Sequence, residues 1–202
     1  MYEVEVKVAA AHGPVRERLA AQEAVPVDAV VQEDVYYDAP HRDFAETDEA
    51  LRIRREATIE GGLDQDAPPA AAFERVDPAA FEANVTYKGP LVEAESKTRE
   101  EFETLVEDGE TMDEILARLG FDPAATVRKR RERFALDGYT VTLDAVEGLG
   151  EYVECEVETD EGAVEDAREG AFEVLRSLGL DPDEQIRTSY LGLLLAEAAS
   201  EQ

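Results

Sequence analysis

The stretch Glu3-Val4-Glu5-Val6-Lys7-Val8 alternates charged and apolar residues with a period of two. That period is typical of a β-strand, because successive side chains of a strand point to opposite faces. The three valines then share one face, and Glu3, Glu5 and Lys7 share the other. The pattern predicts a strand whose charged face either meets solvent or lines a polar interior.

Further strands are predicted along the chain, many with one charged face. They cover residues 32–38, 50–56, 84–89, 95–106, 125–136, 138–146 and 151–159. Asp137-Gly138 predicts a tight hairpin turn. Helices are predicted over residues 14–23, 165–178 and 189–199, and a capping box at 111–114 predicts another that ends at Leu119. About eight mostly hairpin-connected strands can close into an antiparallel barrel without edges.

The length of 202 residues suits a single domain over residues 1–202. Residues 61–82 are rich in Gly, Pro, Ala and Asp and show little periodicity. This segment is predicted to be a loop insertion between strands, and the alternative is a lid over a site.

Composition excludes several classes of protein. The net charge of −29 argues against a nucleic-acid binder, which needs a basic face. Abundant Asp and Glu with only four lysines suggest a halophilic protein, kept soluble in high salt. The one cysteine rules out an intrachain disulfide, and no apolar run approaches the ~18 residues of a membrane span. The predicted location is the cytoplasm, with no membrane partner.

Basic and acidic residues are concentrated on different predicted strands. Bases dominate the middle strands, and acids dominate the first strand and the last two. All four lysines lie on these strands: Lys7, Lys88, Lys97 and Lys129. Arg and Lys together suit a polyanion such as a triphosphate, and carboxylates suit divalent cations. The alternative interpretation places the valines in an ordinary core and the charges in solvent.

Several motifs occur in order along nearly the whole chain. After Glu3-x-Glu5-x-Lys7 come YYDAP (36–40), EALRIRR (49–55), TYKGP (86–90), SKTREEFE (96–103), VRKRRERF (127–134), LDAVEGLGEYVECEVE (143–158) and SYLGLLL (189–195). In this ordered set the sequence resembles the CYTH superfamily, the triphosphate tunnel metalloenzymes, and most of all their class IV adenylate cyclase branch. The 61–82 segment is longer than the resemblance leads us to expect.

The resemblance implies an α+β fold, an eight-stranded antiparallel closed β-barrel that forms a triphosphate tunnel, with helices packed outside. It implies Mg²⁺ or Mn²⁺ held by acids among Glu3, Glu5, Asp144, Glu154 and Glu156. It also implies a triphosphate bound by basic residues, namely Lys7, Arg52, Arg54, Lys88, Lys97, Arg99, Lys129 and Arg131. The residues expected to carry catalysis are Glu5, Lys7, Asp144 and Glu156.

The function implied first is a class IV adenylate cyclase, which converts ATP to cyclic AMP and pyrophosphate. The alternative is a hydrolase of inorganic triphosphate or thiamine triphosphate, because the same tunnel residues serve either reaction. A non-catalytic module that binds polyphosphate or a nucleotide is a further alternative, although binding an anion alone does not need five carboxylates. A purely structural acidic protein would require solvated charged faces. A homodimer is expected by analogy with the family.

Overall fold

The computed structural model describes residues 2–59, 67–90 and 100–200, except the side chains of residues 2, 3, 45 and 161. Its strands form one eight-stranded sheet in the order β1-β8-β7-β6-β2-β3-β4-β5. Every neighbouring pair is antiparallel. The strands are β1 (Tyr2–Ala9), β2 (Val25–Asp38), β3 (Ala50–Thr58), β4 (Glu82–Lys88), β5 (Glu101–Val106), β6 (Asp122–Leu136), β7 (Tyr139–Val146) and β8 (Gly150–Thr159).

The predicted α+β class and antiparallel sheet are confirmed, whereas closure of the sheet into a barrel is not. Strands β1 and β5 are its two edges, and no ladder joins them within the described residues. The β1 edge is partly covered, because the Ile186 amide donates a hydrogen bond to the Lys7 carbonyl oxygen. The β5 edge is exposed along most of its length.

Six α-helices are described. They are α1 (His12–Ala21), α2 (Phe44–Thr47), α3 (Pro69–Glu74), α4 (Gly109–Arg118), α5 (Val164–Ser177) and α6 (Tyr190–Ser200). None of the helices in the described residues is long and apolar enough to cross a membrane. The start of α4 differs from the prediction, because Asp108 caps it by accepting hydrogen bonds from the amides of Glu110 and Thr111.

The 61–82 segment is not all loop in its described part. Helix α3 and a short 3-10 helix at Pro78–Ala80 occupy much of it, and residues 60–66 lie outside the described residues. Ala72 of α3 packs with Val31 and Ala57, which lie on the face of the sheet opposite Arg131 and Gln32. The described part of this segment is therefore not a lid over the charged face.

The register of the sheet separates an apolar face from a charged one. Val6 of β1 lies opposite Cys155, which lies opposite Val141, so the three share one face. Helices α1 and α5 cover this face, and its core includes Leu143, Leu175 and other buried residues. Helix α4 packs its Leu116 against Ile53 farther along the same side. This core leaves the other face of the sheet to the charged residues.

The turn at Asp137-Gly138 confirms the predicted hairpin between β6 and β7. Both residues have positive φ angles, 51° and 85°, as a type I′ turn requires. This turn fixes the register that places Arg131 opposite Asp144. A local turn signal therefore positions two residues of the charged face.

Candidate functional site

The charged face of the sheet is buried. Lys7, Lys129, Asp34, Asp144 and Glu154 are each 5% exposed or less. A charge removed from water in this way needs a partner of opposite sign. The interpretation in which these charged residues meet solvent is therefore wrong.

Three carboxylates gather where β1 meets β8. Glu5 lies directly opposite Glu156, and Lys7 lies opposite Glu154. One oxygen from each of Glu5, Glu154 and Glu156 lies within 4.8 Å of the others. Burial and the neighbouring charge of Asp144 raise the pKa of Glu154 to about 7. Glu154 therefore binds a proton more readily than an ordinary carboxylate does.

These residues fit a divalent cation of the Mg²⁺ or Mn²⁺ type. Such ions prefer oxygen ligands and usually keep several waters, so three converging carboxylates form a suitable donor set. A cation there would also favour the charged form of Glu154, against the burial and the charge of Asp144 that raise its pKa. Glu5 is exposed whereas Glu154 is buried, so the cluster lies between the interior and solvent.

Asp144 is the centre of an ion-pair network and is not one of the three clustered carboxylates. Arg131 donates to both of its oxygens, with Nε–Oδ1 and Nη2–Oδ2 distances of 2.7 and 2.6 Å. The same Nη2 lies 2.6 Å from Glu154 Oε2. Burial alone raises the pKa of Asp144, but the charges of Arg131 and Lys129 outweigh burial and hold it well below its usual range. Asp144 is therefore an anion held among cations.

A second buried pair lies across β2 and β3. Arg54 donates to both Asp34 oxygens at 2.6 and 2.7 Å, and Arg52 Nη1 lies 3.4 Å from Asp34 Oδ2. Burial raises the pKa of Asp34, but the hydrogen bonds and charge of Arg54 lower it to well below the usual range. Sequence reasoning missed Asp34, because its partners become apparent only once β3 is known to pair with β2.

The basic side of the face extends from β6 to β4. Lys129 Nζ lies 4.0 Å from Asp144 Oδ2. Burial, and then the positive charge of Arg131, lower the pKa of Lys129 to about 8. Lys88 of β4 pairs with Glu101 of β5. An anion bound near Lys129 would favour its charged form, just as a cation bound near Glu154 would favour the charged form of Glu154.

Tyr190, at the start of α6, also reaches this face and was not predicted. Its hydroxyl donates to Asp144 Oδ2 at 3.0 Å. Its ring centroid lies 4.3 Å from Lys7 Nζ and 5.3 Å from Lys129 Nζ. Burial and the nearby Asp144 carboxylate raise the pKa of this hydroxyl, so it remains a donor. The sequence signal was the SYLGLLL motif (189–195), which contains Tyr190 but was assigned no role in the site.

Several buried polar atoms on the charged face have no hydrogen-bond partner among the described residues. They are Gln32 Oε1, Asn84 Oδ1, Arg52 Nε, Thr142 Oγ1 and Asp28 Oδ1. Buried polar atoms in folded proteins are nearly always hydrogen-bonded to protein, water or ligand. Their concentration on this face favours hydrogen bonds to water or to a polar ligand.

The structure brings most of the predicted site residues onto this one face. The register places Glu5, Lys7, Arg52, Arg54, Lys88, Lys129, Arg131, Asp144, Glu154 and Glu156 there. Lys97, Arg99 and the side chain of Glu3 lie outside the described residues. Asp34, Gln32, Thr142 and Tyr190 are additions that the sequence did not predict.

Comparison with known proteins gives consistent results. The family model described as "CYTH domain" matches residues 1–190. A protein of Methanocaldococcus jannaschii named "Putative adenylate cyclase" is 39% identical over 163 residues, which cover 80% of each chain. A solved structure from Pyrococcus horikoshii OT3 is 36% identical, with a TM-score of 0.76 over 97% of this chain and 99% of the other.

A more distant structure shares the fold. It is a protein of Hippeastrum described as a "putative adenylyl cyclase" that shows a dominant triphosphatase activity. It is 18% identical, with a TM-score of 0.64 over 97% of this chain and 96% of the other. The charged face, the match over residues 1–190 and the 39% identical relative lead to one assignment. The chain belongs to the CYTH domain family.

Proposed function

We propose that this protein is a divalent-metal-dependent enzyme that acts on a triphosphate bound along the charged face. The observation that carries the proposal is one buried face that holds a three-carboxylate cluster beside a band of Lys and Arg. A metal–triphosphate complex has the complementary pair of charges. The unpartnered polar atoms on the same face support a polar ligand.

The basic residues would bind and orient the phosphate chain. Arg131 and Arg54 already donate to carboxylates in bidentate geometry, and guanidinium groups can donate in the same way to phosphate oxygens. Lys7 and Lys129 would add compact positive charges from β1 and β6. Neutralising the phosphate oxygens lowers the barrier to attack and stabilises the leaving phosphate.

The carboxylates Glu5, Glu154 and Glu156 would hold Mg²⁺ or Mn²⁺. Such an ion, when bound, neutralises phosphate charge and lowers the pKa of a coordinated hydroxyl or water. Asp144 would keep Arg131 and Lys129 in place beside this cluster. The chain thus supplies a positioned anion site next to a positioned cation site.

We favour a class IV cyclase reaction, because the 39% identical relative is named a putative adenylate cyclase. In that reaction the ATP 3′-oxygen forms a bond to the α-phosphorus. The bond from that phosphorus to the bridging oxygen breaks, and the products are cyclic AMP and pyrophosphate. The hydroxyl proton is released as the new bond forms.

The alternative reaction is hydrolysis of a triphosphate. It is favoured by the triphosphatase activity described for the Hippeastrum protein, which shares this fold. Water would attack the terminal phosphorus of inorganic triphosphate or thiamine triphosphate, and the bond from that phosphorus to the bridging oxygen would break. The products would be orthophosphate and either pyrophosphate or thiamine diphosphate. The same charged face would serve both reactions, since one fold and one site can support several chemistries.

Product analysis decides between the two reactions. Purified protein is incubated with Mg²⁺ or Mn²⁺ and, in separate reactions, with ATP, inorganic triphosphate or thiamine triphosphate, and with excess chelator as a control. Metal-dependent cyclic AMP and pyrophosphate support the cyclase. Orthophosphate from a triphosphate with ATP unchanged supports the hydrolase. Triphosphate binding without turnover of any substrate would contradict an enzyme and support the binding module.

A further inference from the structure

Helix α6 packs against the charged face of the sheet, whereas α1, α3, α4 and α5 pack against the apolar face. Its residues Tyr190, Leu191, Leu193 and Leu194 join Val127 and Tyr152 in an apolar cluster. Val127 lies opposite Asp34, and Tyr152 lies opposite Asp144, so this cluster adjoins the buried ion pairs. The first residue of α6 therefore reaches the ions themselves.

We propose that Tyr190 is a positioning residue of the triphosphate site, because its hydroxyl orients Asp144 and its ring supports the ammonium groups of Lys7 and Lys129. This inference rests on the proposed function and deepens it. It makes the C-terminal helix part of the site, because Tyr190 reaches the ions from a different element of the fold than the strands that carry them.

The hydroxyl completes the set of donors around Asp144. Arg131 donates to both carboxylate oxygens, and the Tyr190 hydroxyl donates to Oδ2 at 3.0 Å. Asp144 is fully buried, so water does not replace a lost donor at low cost. Without the hydroxyl, Asp144 keeps its contacts with Arg131 and Lys129 but loses the contact that fixes Oδ2 from the side of α6.

The ring lies beside two buried cations that have been assigned to phosphate binding. The Nζ atoms of Lys7 and Lys129 lie 4.3 and 5.3 Å from its centroid, inside the range of cation–π attraction. Tyr152 meets the Tyr190 ring in an edge contact, with ring centroids 5.1 Å apart. One aromatic ring thus sets the positions of two ammonium groups contributed by different strands.

The test separates the hydroxyl from the ring. Tyr190→Phe removes the hydroxyl and keeps the ring, whereas Tyr190→Leu removes both. Tyr152→Phe is the matched control, because it removes a neighbouring hydroxyl that bonds only weakly, at 3.4 Å, to the Leu149 carbonyl oxygen. For each protein, kcat and KM are measured with the substrate that wild type turns over, together with the Kd for inorganic triphosphate and the melting temperature.

We expect Tyr190→Phe to lower kcat about tenfold and to change KM and Kd by less than about twofold, since a hydrogen bond to a charged group is lost. We expect Tyr190→Leu also to raise KM and Kd about tenfold, because the lysines lose their aromatic support. Tyr152→Phe should match wild type. A purely structural role would lower the melting temperature without this division between kcat and KM.

The outcomes distinguish the two proposals. If wild type neither binds nor turns over any triphosphate, the proposed function is overturned, and this inference with it. If wild type is active and both Tyr190 variants keep its kinetic constants, only the inference is overturned. The same holds if Tyr152→Phe loses as much activity as Tyr190→Phe. Should Tyr190→Leu fail to fold, the kcat of Tyr190→Phe still decides.

Discussion

Strand β1 buries Val6 and Lys7 almost equally, at 2% and 3% exposed, but on opposite faces of the sheet. Val6 is buried by apolar packing against α5 and its neighbours, which is favourable in itself. Lys7 is buried among Glu154 and Tyr190, where each charge depends on a partner. Equal burial therefore conceals two different roles: one face stabilises the fold, and the other holds a charged arrangement suited to a ligand.

The largest expected effect is on catalysis at the carboxylate cluster. We expect Glu156→Gln to lower kcat about 10³-fold, because the proposed metal site loses one carboxylate and a 10³-fold loss corresponds to about 4 kcal/mol in the transition state. The measurement is a steady-state assay over a range of Mg²⁺ or Mn²⁺ concentrations. Glu158→Gln is the matched control, because Glu158 is two residues farther along β8 on the same face and is exposed. Equal losses in both variants would contradict a role specific to the cluster.

The next largest effect should be on the free energy of unfolding, when a buried ion pair of the charged face is broken. Asp34→Asn leaves Arg54 buried without a counter-ion, so we expect the free energy of unfolding to fall by about 4 kcal/mol. The double variant Asp34→Leu with Arg54→Met should recover most of this loss, because an apolar pair needs no partner charge. Chemical denaturation of the three proteins measures both values. A double variant as unstable as Asp34→Asn would show that the pair is not the cause.

This stabilisation should depend on pH with a definite sign. The folded-state pKa of Asp34 lies below that of an unfolded Asp, about 3.9. The pair therefore stabilises the fold fully above about pH 4, and its contribution is lost as pH falls through the folded-state pKa. The stability gap between wild type and Asp34→Asn should be constant near neutral pH and narrow below about pH 4. A gap that widens in acid would contradict the assignment.

A substitution on the apolar face should lower stability and leave catalysis unchanged, in contrast to a substitution in the carboxylate cluster. Leu143 is 1% exposed in the main core, so Leu143→Ala should lower the free energy of unfolding by about 3 kcal/mol. We expect kcat and KM to stay within about twofold, because the side chain points away from the ions. Denaturation and steady-state assays on the same preparations check this. A large change in kcat would show that the two faces are not independent.

The sequence was enough to predict which residues share the charged face. A period of two in each strand assigns Glu5 and Lys7 in β1, and Glu154 and Glu156 in β8, to a common side. The sequence was not enough to predict the ion pairs. Asp34 meets Arg54 only because β3 pairs with β2, and Tyr190 meets Asp144 only because α6 packs on this face. Those contacts depend on strand order and helix placement, which local patterns do not encode.

The smallest effect should come from the edge of the sheet. Phe102 of β5 is 62% exposed and contacts Tyr87 with ring centroids 6.4 Å apart, so Phe102→Ser should cost no more than about 0.5 kcal/mol. Amide exchange along β5 should be fast for the same reason, since its outer edge has no paired strand among the described residues. A loss of about 2 kcal/mol or more, with slow exchange in β5, would show that this edge is covered in solution. That result would favour the closed barrel that the resemblance to the family implies.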